Sequence, residues 1–254
     1  MQIIIPMSGQ GARFKEAGYK DLKPLIPVDG KPIIAHVLDR FPGEHRFVFI
    51  CNREHLEDTP MERILKNLKP DGQIVPIDPH KLGPVHAVLE ARSRLDGNLP
   101  TIVNYCDFSW EWDFAAFSRR MQETACDGCV VSYTGFHPHL LAPGLYAGMR
   151  VGDDDRMIEI REKHSFTENK MNCHHSSGTY YFKTGDLVIR YFQALKDSNA
   201  RVNNEFYVSS VYQLMKDEGL DIRIYNLDYF LQWGTPQDME EYAYWSRYFN
   251  QKGA

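Results

Sequence analysis

Short apolar runs alternate with longer amphipathic segments along the first half of the chain. The runs, bounded by Gly, Pro or polar turns, predict buried strands, and the segments between them predict helices. The strands are expected at 2–6, 46–51, 73–77, 100–104 and 128–134, and the helices at 31–40, 54–68, 84–95 and 111–124. This order is typical of βαβ units, so we predict an α/β fold with a mixed, mostly parallel sheet flanked by helices.

The pattern loosens in the second half of the chain. Further strands are predicted at 145–151, 156–161, 178–183 and 221–226, and further helices at 185–195, 205–218 and 236–248. The acidic triplet at 153–155 follows Gly152 and lies between two of these strands, which favours a hairpin turn over an acidic metal-binding motif. We see no linker, repeat or low-complexity segment, so we predict a single domain over 1–254.

A glycine-rich loop follows the first strand and carries the most informative chemistry of the chain. Residues 8–14 read Ser-Gly-Gln-Gly-Ala-Arg-Phe, and Lys23-Pro24 follows them. Glycine lets the backbone N–H groups of such a loop approach a ligand closely. Arg13 offers a bidentate fork and Lys23 a compact point charge for phosphate oxygens. The sequence therefore predicts an anion site after the first strand.

Two other phosphate-binding motifs do not fit this loop. Phe14 stands where the dinucleotide-binding fingerprint needs its third glycine, and no Gly-Lys-Ser/Thr ends the loop as in an ATPase P-loop. A nicotinamide-dependent enzyme and a P-loop kinase are therefore disfavoured. Because ligands lie at the carboxyl ends of the strands in such sheets, we expect the loops 7–23, 78–86 and 104–108 to meet at one edge.

Composition favours a cytoplasmic enzyme that acts on a small anion. The formal net charge of −5 gives no basic footprint for nucleic acid. No apolar segment reaches the roughly 18 residues of a membrane span, so we expect no membrane partner. Cys126 and Cys129 have the spacing of a zinc or redox pair, but they lack a second pair, and a core strand at Cys129 is the favoured interpretation. The sequence leaves the oligomeric state open, a homo-oligomer included.

Five motifs, in order, resemble the sugar-phosphate nucleotidyltransferases, also called NDP-sugar pyrophosphorylases. They are the glycine-rich loop with Lys-Pro-Leu-Ile-Pro-Val-x-Gly-Lys-Pro at 23–32, Leu-Gly-Pro-Val-His-Ala-Val at 82–88, Val-Asn-Tyr-Cys-Asp at 103–107, Arg-Glu-Lys at 161–163 and Gly-Thr-Pro-Gln-Asp at 234–238. The resemblance implies a Rossmann-like fold of the GT-A nucleotidyltransferase type. It also implies a nucleotide-binding half at 1–135 and an acceptor-binding half with the C-terminal helix at 136–254.

The resemblance assigns roles to individual residues. It implies that Arg13 holds the leaving pyrophosphate and that Lys23 contacts phosphate at the reacting centre. The implied nucleotide contacts are Met7, Ser8, Gly9, Gly11, His80 and Gly83, and the implied acceptor contacts are Lys163, Asn204 and Glu205. For Asn204 a simple helix N-cap is an equally good interpretation.

Asp107 is the metal-ligand candidate. It follows a predicted strand, where a carboxylate can bind Mg²⁺ together with substrate phosphates. In many members of the resembling family, a second Asp stands two residues before the Gly of the Gly-Thr-Pro motif, where this chain has Gln232. The sequence leaves open whether Gln232 or Asp228, four residues upstream, completes the site, and we expect one dominant protein ligand, with phosphate oxygens and water filling the rest of an octahedron.

The implied reaction transfers NMP from an NTP to a sugar phosphate or a similar small phosphorylated acceptor and releases pyrophosphate, with Mg²⁺ as cofactor. We expect CTP as the nucleotide, because the Leu-Gln-Trp-Gly-Thr-Pro stretch at 231–236 resembles members of surface-polysaccharide pathways such as capsule synthesis. Three alternatives stay open. They are cytidylyl transfer to a non-sugar phosphate such as phosphocholine or a phosphorylated amino-acid derivative, glycosyl transfer by a GT-A enzyme, and non-catalytic nucleotide binding.

Overall fold

The computed structural model describes residues 1–144 and 146–252. Its strands are β1 (Gln2–Met7), β2 (Pro27–Val28), β3 (Lys31–Pro32), β4 (Arg46–Asn52), β5 (Gln73–Ile77), β6 (Thr101–Asn104), β7 (Phe108–Glu111), β8 (Gly128–Tyr133), β9 (Gly148–Val151), β10 (Met157–Arg161), β11 (His174–Phe182), β12 (Ile222–Leu227) and β13 (Tyr229–Gln232). Its helices are α1 (Ala12–Glu16), α2 (Ile33–Asp39), α3 (Arg53–Asp58), α4 (Met61–Leu68), α5 (Pro84–Glu90), α6 (Phe114–Thr124), α7 (Gly185–Ser198), α8 (Val208–Asp217) and α9 (Pro236–Lys252).

In the part of the chain that the structure describes, the main sheet has a central row in the order β5-β4-β1-β6-β11-β8-β12. β1 pairs in parallel with β4 and β6, β4 pairs in parallel with β5, and β8 pairs in parallel with β12. β11 runs antiparallel to β6 and β8. All strands of the row except β11 therefore share one direction, which confirms the predicted α/β fold with a mixed, mostly parallel sheet.

Helices cover both faces of this sheet. Because side chains alternate along a strand, Ile4 and Val103 belong to one apolar cluster with residues of α5, α7 and α8, while Ile3 and Ile102 belong to a second with residues of α2, α4 and α6. The two apolar layers leave the strand ends as the place where polar side chains gather. This arrangement positions the loops after β1, β5 and β6 at one edge of the sheet.

A bulge interrupts β11 beside that edge. The register between β11 and β8 shifts between Ser176 and Thr179. Gly178 lies in the bulge with φ 95°, and a Cβ on it would lie 2.7 Å from Cε1 of Phe108. Glycine is required there both by the backbone conformation and by the close ring. The bulge turns this stretch of β11 toward the loop that follows β6, whose Tyr105 N–H donates to the Gly178 carbonyl at 3.1 Å.

The helix predicted over 54–68 is two helices in the structure. α3 ends at Asp58 and α4 begins at Met61, so Thr59 and Pro60 separate them. Proline has no N–H to donate, and its ring disfavours helical geometry in the residue before it. The helix predicted over 84–95 also ends early, at Glu90.

Four short strands account for several other differences from the sequence prediction. The helix predicted from residue 31 begins at Ile33, because Lys31–Pro32 pairs with Pro27–Val28 as the ribbon β3–β2. The helix predicted from residue 111 begins at Phe114, after strand β7. Strand β13, which the sequence prediction lacks, pairs with β7.

The acidic triplet forms the predicted turn between β9 and β10. The N–H of Gly152 donates to the carbonyl of Arg156 at 2.8 Å, and Asp155 has φ 60°. The strand predicted over 145–151 begins at Gly148, and residue 145 lies outside the described residues. Among the described helices, none has both the length and the apolar character to cross a membrane.

Candidate active site

A cavity of about 990 Å³ opens at the carboxyl ends of β1, β5 and β6. Apart from Asp228, the structure brings every sequence-predicted site residue to its wall. These residues are Met7, Ser8, Gly9, Gly11, Arg13, Lys23, His80, Gly83, Asp107, Lys163, Asn204 and Glu205. The loops after the three strands therefore meet at one edge of the sheet, as the sequence predicted from topology.

The glycine-rich loop forms one wall of the cavity. Gly11 adopts φ 62° and leads directly into the short helix α1, which carries Arg13. Phe14 on the same helix is buried against the edge of Tyr19, with ring centroids 5.1 Å apart. Burial of Phe14 anchors the helix, and the exposed side chain of Arg13 stays at the cavity wall, where it can meet a phosphate.

Lys23 lies in the middle of the polar part of the site. Its Nζ donates to Oδ2 of Asp107 at 2.7 Å and to the carbonyl of Gly234 at 2.9 Å. The same ammonium lies 5.3 Å from the centroid of the Phe14 ring, a cation–π distance. Three separate segments of the chain therefore fix one cation at the cavity wall.

Asp107 and Gln232 are neighbours through the β7–β13 ribbon. Gln232 pairs with Phe108, and the N–H of Trp233 donates to the carbonyl of Asp107 at 3.1 Å. A Cβ on Gly234 would lie 2.7 Å from Nε2 of Gln232 and 3.5 Å from Oδ2 of Asp107, so both side chains flank one small space. Asp228, the other candidate partner, is absent from the cavity wall.

The donor set around Asp107 fits a hard cation that takes most of its ligands from substrate. The Asp107 carboxylate offers the oxygen ligands that Mg²⁺ prefers, and Mg²⁺ commonly binds one or two carboxylates plus phosphates. The Gln232 amide, whose Nε2 faces this space and donates to the Tyr146 hydroxyl at 3.4 Å, would add its oxygen once the amide is flipped. Across residues 1–144 and 146–252, no cluster of three or more His, Cys, Asp or Glu side chains could hold a metal ion. A metal at Asp107 would therefore depend on phosphate oxygens and water.

Asp238 is a second carboxylate near this centre, to which the sequence analysis gave no role. Its Oδ2 accepts from the N–H and the hydroxyl of Thr235, at 3.0 and 2.7 Å, and its own N–H donates back to the Thr235 hydroxyl. This reciprocal cap starts helix α9. Burial raises the pKa of Asp238, and the bonds from Thr235 and the charge of Lys23 oppose that rise. The spacing of Thr235 and Asp238 is the sequence signal for the cap.

The segment after β5 is joined to the acceptor side of the cavity by backbone hydrogen bonds. The N–H of Phe206 donates to the carbonyl of Leu82 at 2.9 Å. Gly83 has φ 84°, and a Cβ on it would lie 2.8 Å from the carbonyl oxygen of Phe206. Only glycine combines this conformation with so close an approach.

The acceptor side of the cavity contains a buried carboxylate beside a lysine. Glu162 accepts a hydrogen bond from the hydroxyl of Ser209, and its Oε1 lies 3.9 Å from Nζ of Lys163. Burial raises the pKa of Glu162, although Ser209 and Lys163 favour its charged form. Lys163 has φ 55° and its ammonium lies 5.7 Å from the Tyr207 ring centroid. From this left-handed position Lys163 lines the cavity wall.

Asn204 is part of a tight turn and does not cap a helix, so the N-cap interpretation is wrong. Asn203 and Asn204 have φ values of 51° and 66°, and Val202 and Glu205 exchange both backbone hydrogen bonds at 3.0 Å. Two consecutive positive φ values define a type I′ turn, which asparagine tolerates. Helix α8 begins only at Val208. Asn203, to which the sequence analysis gave no role, also lines the cavity.

Comparisons with known proteins identify the family of this chain. The family model of the MobA-like NTP transferase domain matches residues 3–165, a span that includes the glycine-rich loop, Lys23, Asp107 and Lys163. The chain belongs to the MobA-like NTP transferase domain family, and it is therefore a nucleotidyltransferase family enzyme. It is similar at low identity to the sugar-phosphate nucleotidyltransferases.

Two curated relatives show this similarity. The chain is 28% identical over 225 residues to the bifunctional protein GlmU of Cupriavidus pinatubonensis, covering 87% of this chain and 46% of the relative. It is 26% identical over 238 residues to the bifunctional protein GlmU of Listeria monocytogenes, covering 89% of this chain and 47% of the relative. The chain thus spans about half the length of the curated relatives that it matches.

Two solved structures share the fold. A nucleoside-diphosphate-sugar pyrophosphorylase from Vibrio cholerae RC9 superposes with a TM-score of 0.75 at 19% identity, covering 96% of this chain and 100% of the other. The inositol-1-phosphate CTP transferase from T. maritima superposes with a TM-score of 0.74 at 17% identity, covering 97% of this chain and 95% of the other. The central sheet and its helices are therefore those of a nucleotidyltransferase fold.

Proposed function

We propose that this protein transfers NMP from an NTP to a sugar phosphate and releases pyrophosphate. The observation that carries the proposal is the arrangement of Arg13, Lys23, Asp107 and Lys163 around one cavity. Three cations and one carboxylate suit two phosphate-bearing substrates, because each negative group needs a partner once water is excluded. The names of similar structures, which include an NDP-sugar pyrophosphorylase, support the same substrate class.

The reaction requires positioning and charge stabilisation more than covalent protein chemistry. An oxygen of the acceptor phosphate attacks the α-phosphorus of the NTP, a new P–O bond forms, and the bond from the α-phosphorus to its bridging oxygen breaks. The acceptor phosphate is already anionic, so no protein base has to remove a proton. Catalysis then rests on holding both phosphates in line and stabilising the charge that passes to pyrophosphate.

Each cation has a position that suits one part of this reaction. Arg13 on α1 would hold the leaving pyrophosphate through its planar fork. Lys23, fixed by Asp107 and Gly234, would meet the phosphate at the reacting centre. Lys163, across the cavity, would meet the acceptor phosphate. A Mg²⁺ ion, when bound at Asp107 with Gln232 beside it, would neutralise charge on the NTP phosphates.

The finer substrate assignment is CTP with a hexose phosphate or a similar phosphorylated polyol. The inositol-1-phosphate CTP transferase from T. maritima, whose fold this chain shares, supports that pairing. A surface-polysaccharide pathway would consume such a product. We also propose that 1–135 binds the nucleotide and 136–254 the acceptor within one domain. The single domain is supported by β11, a strand from the second half that lies between β6 and β8 from the first half.

Pyrophosphate release from ATP, GTP, CTP, UTP and dTTP tests the proposal. Each NTP is offered with Mg²⁺ and with glucose 1-phosphate, mannose 1-phosphate, inositol 1-phosphate or phosphocholine as the acceptor. Release that requires both an acceptor and Lys23 supports nucleotidyl transfer and names both substrates. The absence of release from every pair, with NTP binding intact, contradicts it, and transfer from a preformed nucleotide sugar would then indicate a glycosyltransferase.

A further inference from the structure

Ser8 is a buried hydroxyl at the wall of the nucleotide side of the cavity. It follows the end of β1 and is only 4% exposed. Its Oγ lies 3.2 Å from Nε2 of His80, a residue 72 positions away. Among residues 1–144 and 146–252, His80 is the one hydrogen-bond partner found for this hydroxyl. The direction of that bond determines what Ser8 can offer a ligand.

The backbone determines the direction. The N–H of Leu82 donates to Nδ1 of His80 at 3.2 Å, so Nδ1 must be an acceptor. In a neutral imidazole the other ring nitrogen then carries the hydrogen. Burial lowers the pKa of His80, and the nearby His86 lowers it further while Glu90 opposes this. His80 is therefore neutral near pH 7, with its hydrogen on Nε2.

The surroundings of His80 favour the neutral imidazole with its hydrogen on Nε2. The ring of His86 meets it edge-on, with centroids 4.6 Å apart. Arg53, Asp78 and Glu90 line a small recess on the far side of the ring, and Arg53 Nε lies 3.3 Å from Oδ1 of Asp78. A second proton on His80 would sit on Nδ1, where it would face the N–H of Leu82, so two donors would point at each other. Protonation would therefore break the contact that shapes this loop.

The hydroxyl of Ser8 thus accepts one hydrogen bond, and its own hydrogen is still free to be donated. Nε2–H of His80 donates to Oγ, and the hydrogen of Ser8 has no acceptor among the described residues. A buried donor without a partner costs free energy, which a ligand atom in the cavity can recover. Ser8 accordingly presents a donor, and it cannot reverse this role while Leu82 holds the tautomer of His80.

We propose that Ser8, oriented by His80, selects the nucleotide base by donating to its ring nitrogen N3. This inference rests on the proposed function with CTP as the nucleotide, and it places the base, not the ribose or a phosphate, against Ser8. Cytosine presents an acceptor at N3, whereas uracil and thymine present an N–H there. Ser8 is then a specificity-determining residue for CTP, and His80 is a positioning residue that acts through it.

Calorimetric binding of CTP and UTP tests this pairing in four proteins: the wild type, Ser8→Ala, Ser8→Thr and His80→Asn. We expect the wild type to prefer CTP. Ser8→Ala should weaken CTP about tenfold, the value of one neutral hydrogen bond, and leave UTP nearly unchanged. Ser8→Thr keeps the hydroxyl and should keep the preference. Asn at position 80 can still accept from Leu82 but is too short to reach Ser8, so the preference should shrink.

Three results would overturn the proposal. One is equal binding of CTP and UTP by the wild type. Another is an equal loss of both nucleotides in Ser8→Ala, which would place the hydroxyl on ribose or phosphate. The third is an ¹⁵N NMR spectrum of His80 with the hydrogen on Nδ1. Because binding is measured without an acceptor, a protein that binds CTP selectively but releases no pyrophosphate would contradict the proposed reaction and still support this inference.

Discussion

The ammonium of Lys23 lies 2.7 Å from the carboxylate of Asp107, although 84 positions separate the two residues. Both side chains are partly exposed to the cavity, at 20% and 27%. The pair places a cation and an anion at the point where a phosphate and a metal would meet. In the proposed reaction, Lys23 would meet the substrate phosphates and Asp107 would meet the metal.

Replacing Lys23 should reduce catalysis much more than stability. The Lys23→Ala variant loses a cation at the reacting centre, which by analogy with a lost oxyanion donor costs on the order of 10²–10³ in kcat. The fold should persist because the ammonium contributes no core packing. Initial rates of pyrophosphate release and the melting temperature measure the two effects. Lys20→Ala, an exposed lysine away from the cavity, is the control and should retain full activity.

Asp107→Asn should raise the Mg²⁺ concentration needed for activity. The amide keeps the shape of the side chain but removes the charge that attracts the metal. Even an outer-shell change at a metal site typically costs about 10–100-fold, so a ligand should cost at least that much. Activity titrated with Mg²⁺ measures the shift. An unchanged Mg²⁺ requirement would remove Asp107 from the metal site.

Gln232→Asp should have the opposite effect. The side chain shares a small space with Asp107, so a second carboxylate there should strengthen Mg²⁺ binding and lower the half-saturating concentration. Asp228→Ala is the matched control variant: Asp228 directly precedes β13, the strand that carries Gln232, but it does not line the cavity. If Asp228→Ala weakens Mg²⁺ binding and Gln232→Asp leaves it unaltered, the assignment of Gln232 is wrong.

Gly83→Ala should destabilise the protein and distort the nucleotide side of the cavity. The new Cβ would meet the Phe206 carbonyl at 2.8 Å, and the positive φ alone costs about 1–3 kcal/mol in a non-glycine residue. Gly219→Ala, at a similar φ of 86° but in open space, isolates the cost of the conformation. Chemical denaturation should show the larger loss for Gly83→Ala, and similar losses would mean that the contact with Phe206 is easily relieved.

Acidification should destabilise the protein through His139. Burial, with the neighbouring His137 and His175, lowers the pKa of His139 to about 3. An unfolded histidine titrates near 6.5, so between these values the unfolded chain binds more protons. The free energy of unfolding should therefore fall as pH drops below about 6.5, by up to about 1.4 kcal/mol per pH unit. His139→Gln should flatten the pH profile from urea denaturation, and exposed His45→Gln should not.

The sequence predicted the parts of the fold that depend on local pattern. Continuous apolar runs located β1, β4 and β8 within a residue at each end. The sequence pattern did not predict strands β7 and β13, because each has only four residues and pairs with a strand that is distant in the sequence. The break at Pro60 carried a local signal that the longer helical pattern outweighed.

The candidate site likewise contains residues that the sequence predicted and contacts that it did not. Motif residues such as Arg13, Lys23 and Asp107 were recognisable because their types and order carry chemistry. The bond between Ser8 and His80 was not, since nothing local indicates a contact between residues on separate loops. The turn at Asn203 and Asn204 also depends on backbone pairing that its sequence only permits.

Transfer of label from an NTP labelled at its α-phosphate tests the central claim most directly. The protein is incubated with the labelled nucleotide, Mg²⁺ and the acceptor that supports pyrophosphate release. The account predicts that the label joins the acceptor in one nucleotide-linked product, that unlabelled pyrophosphate appears in equal amount, and that Lys23→Ala forms both more slowly by a factor on the order of 10²–10³. Label that stays in NMP or NDP without joining the acceptor would contradict nucleotidyl transfer.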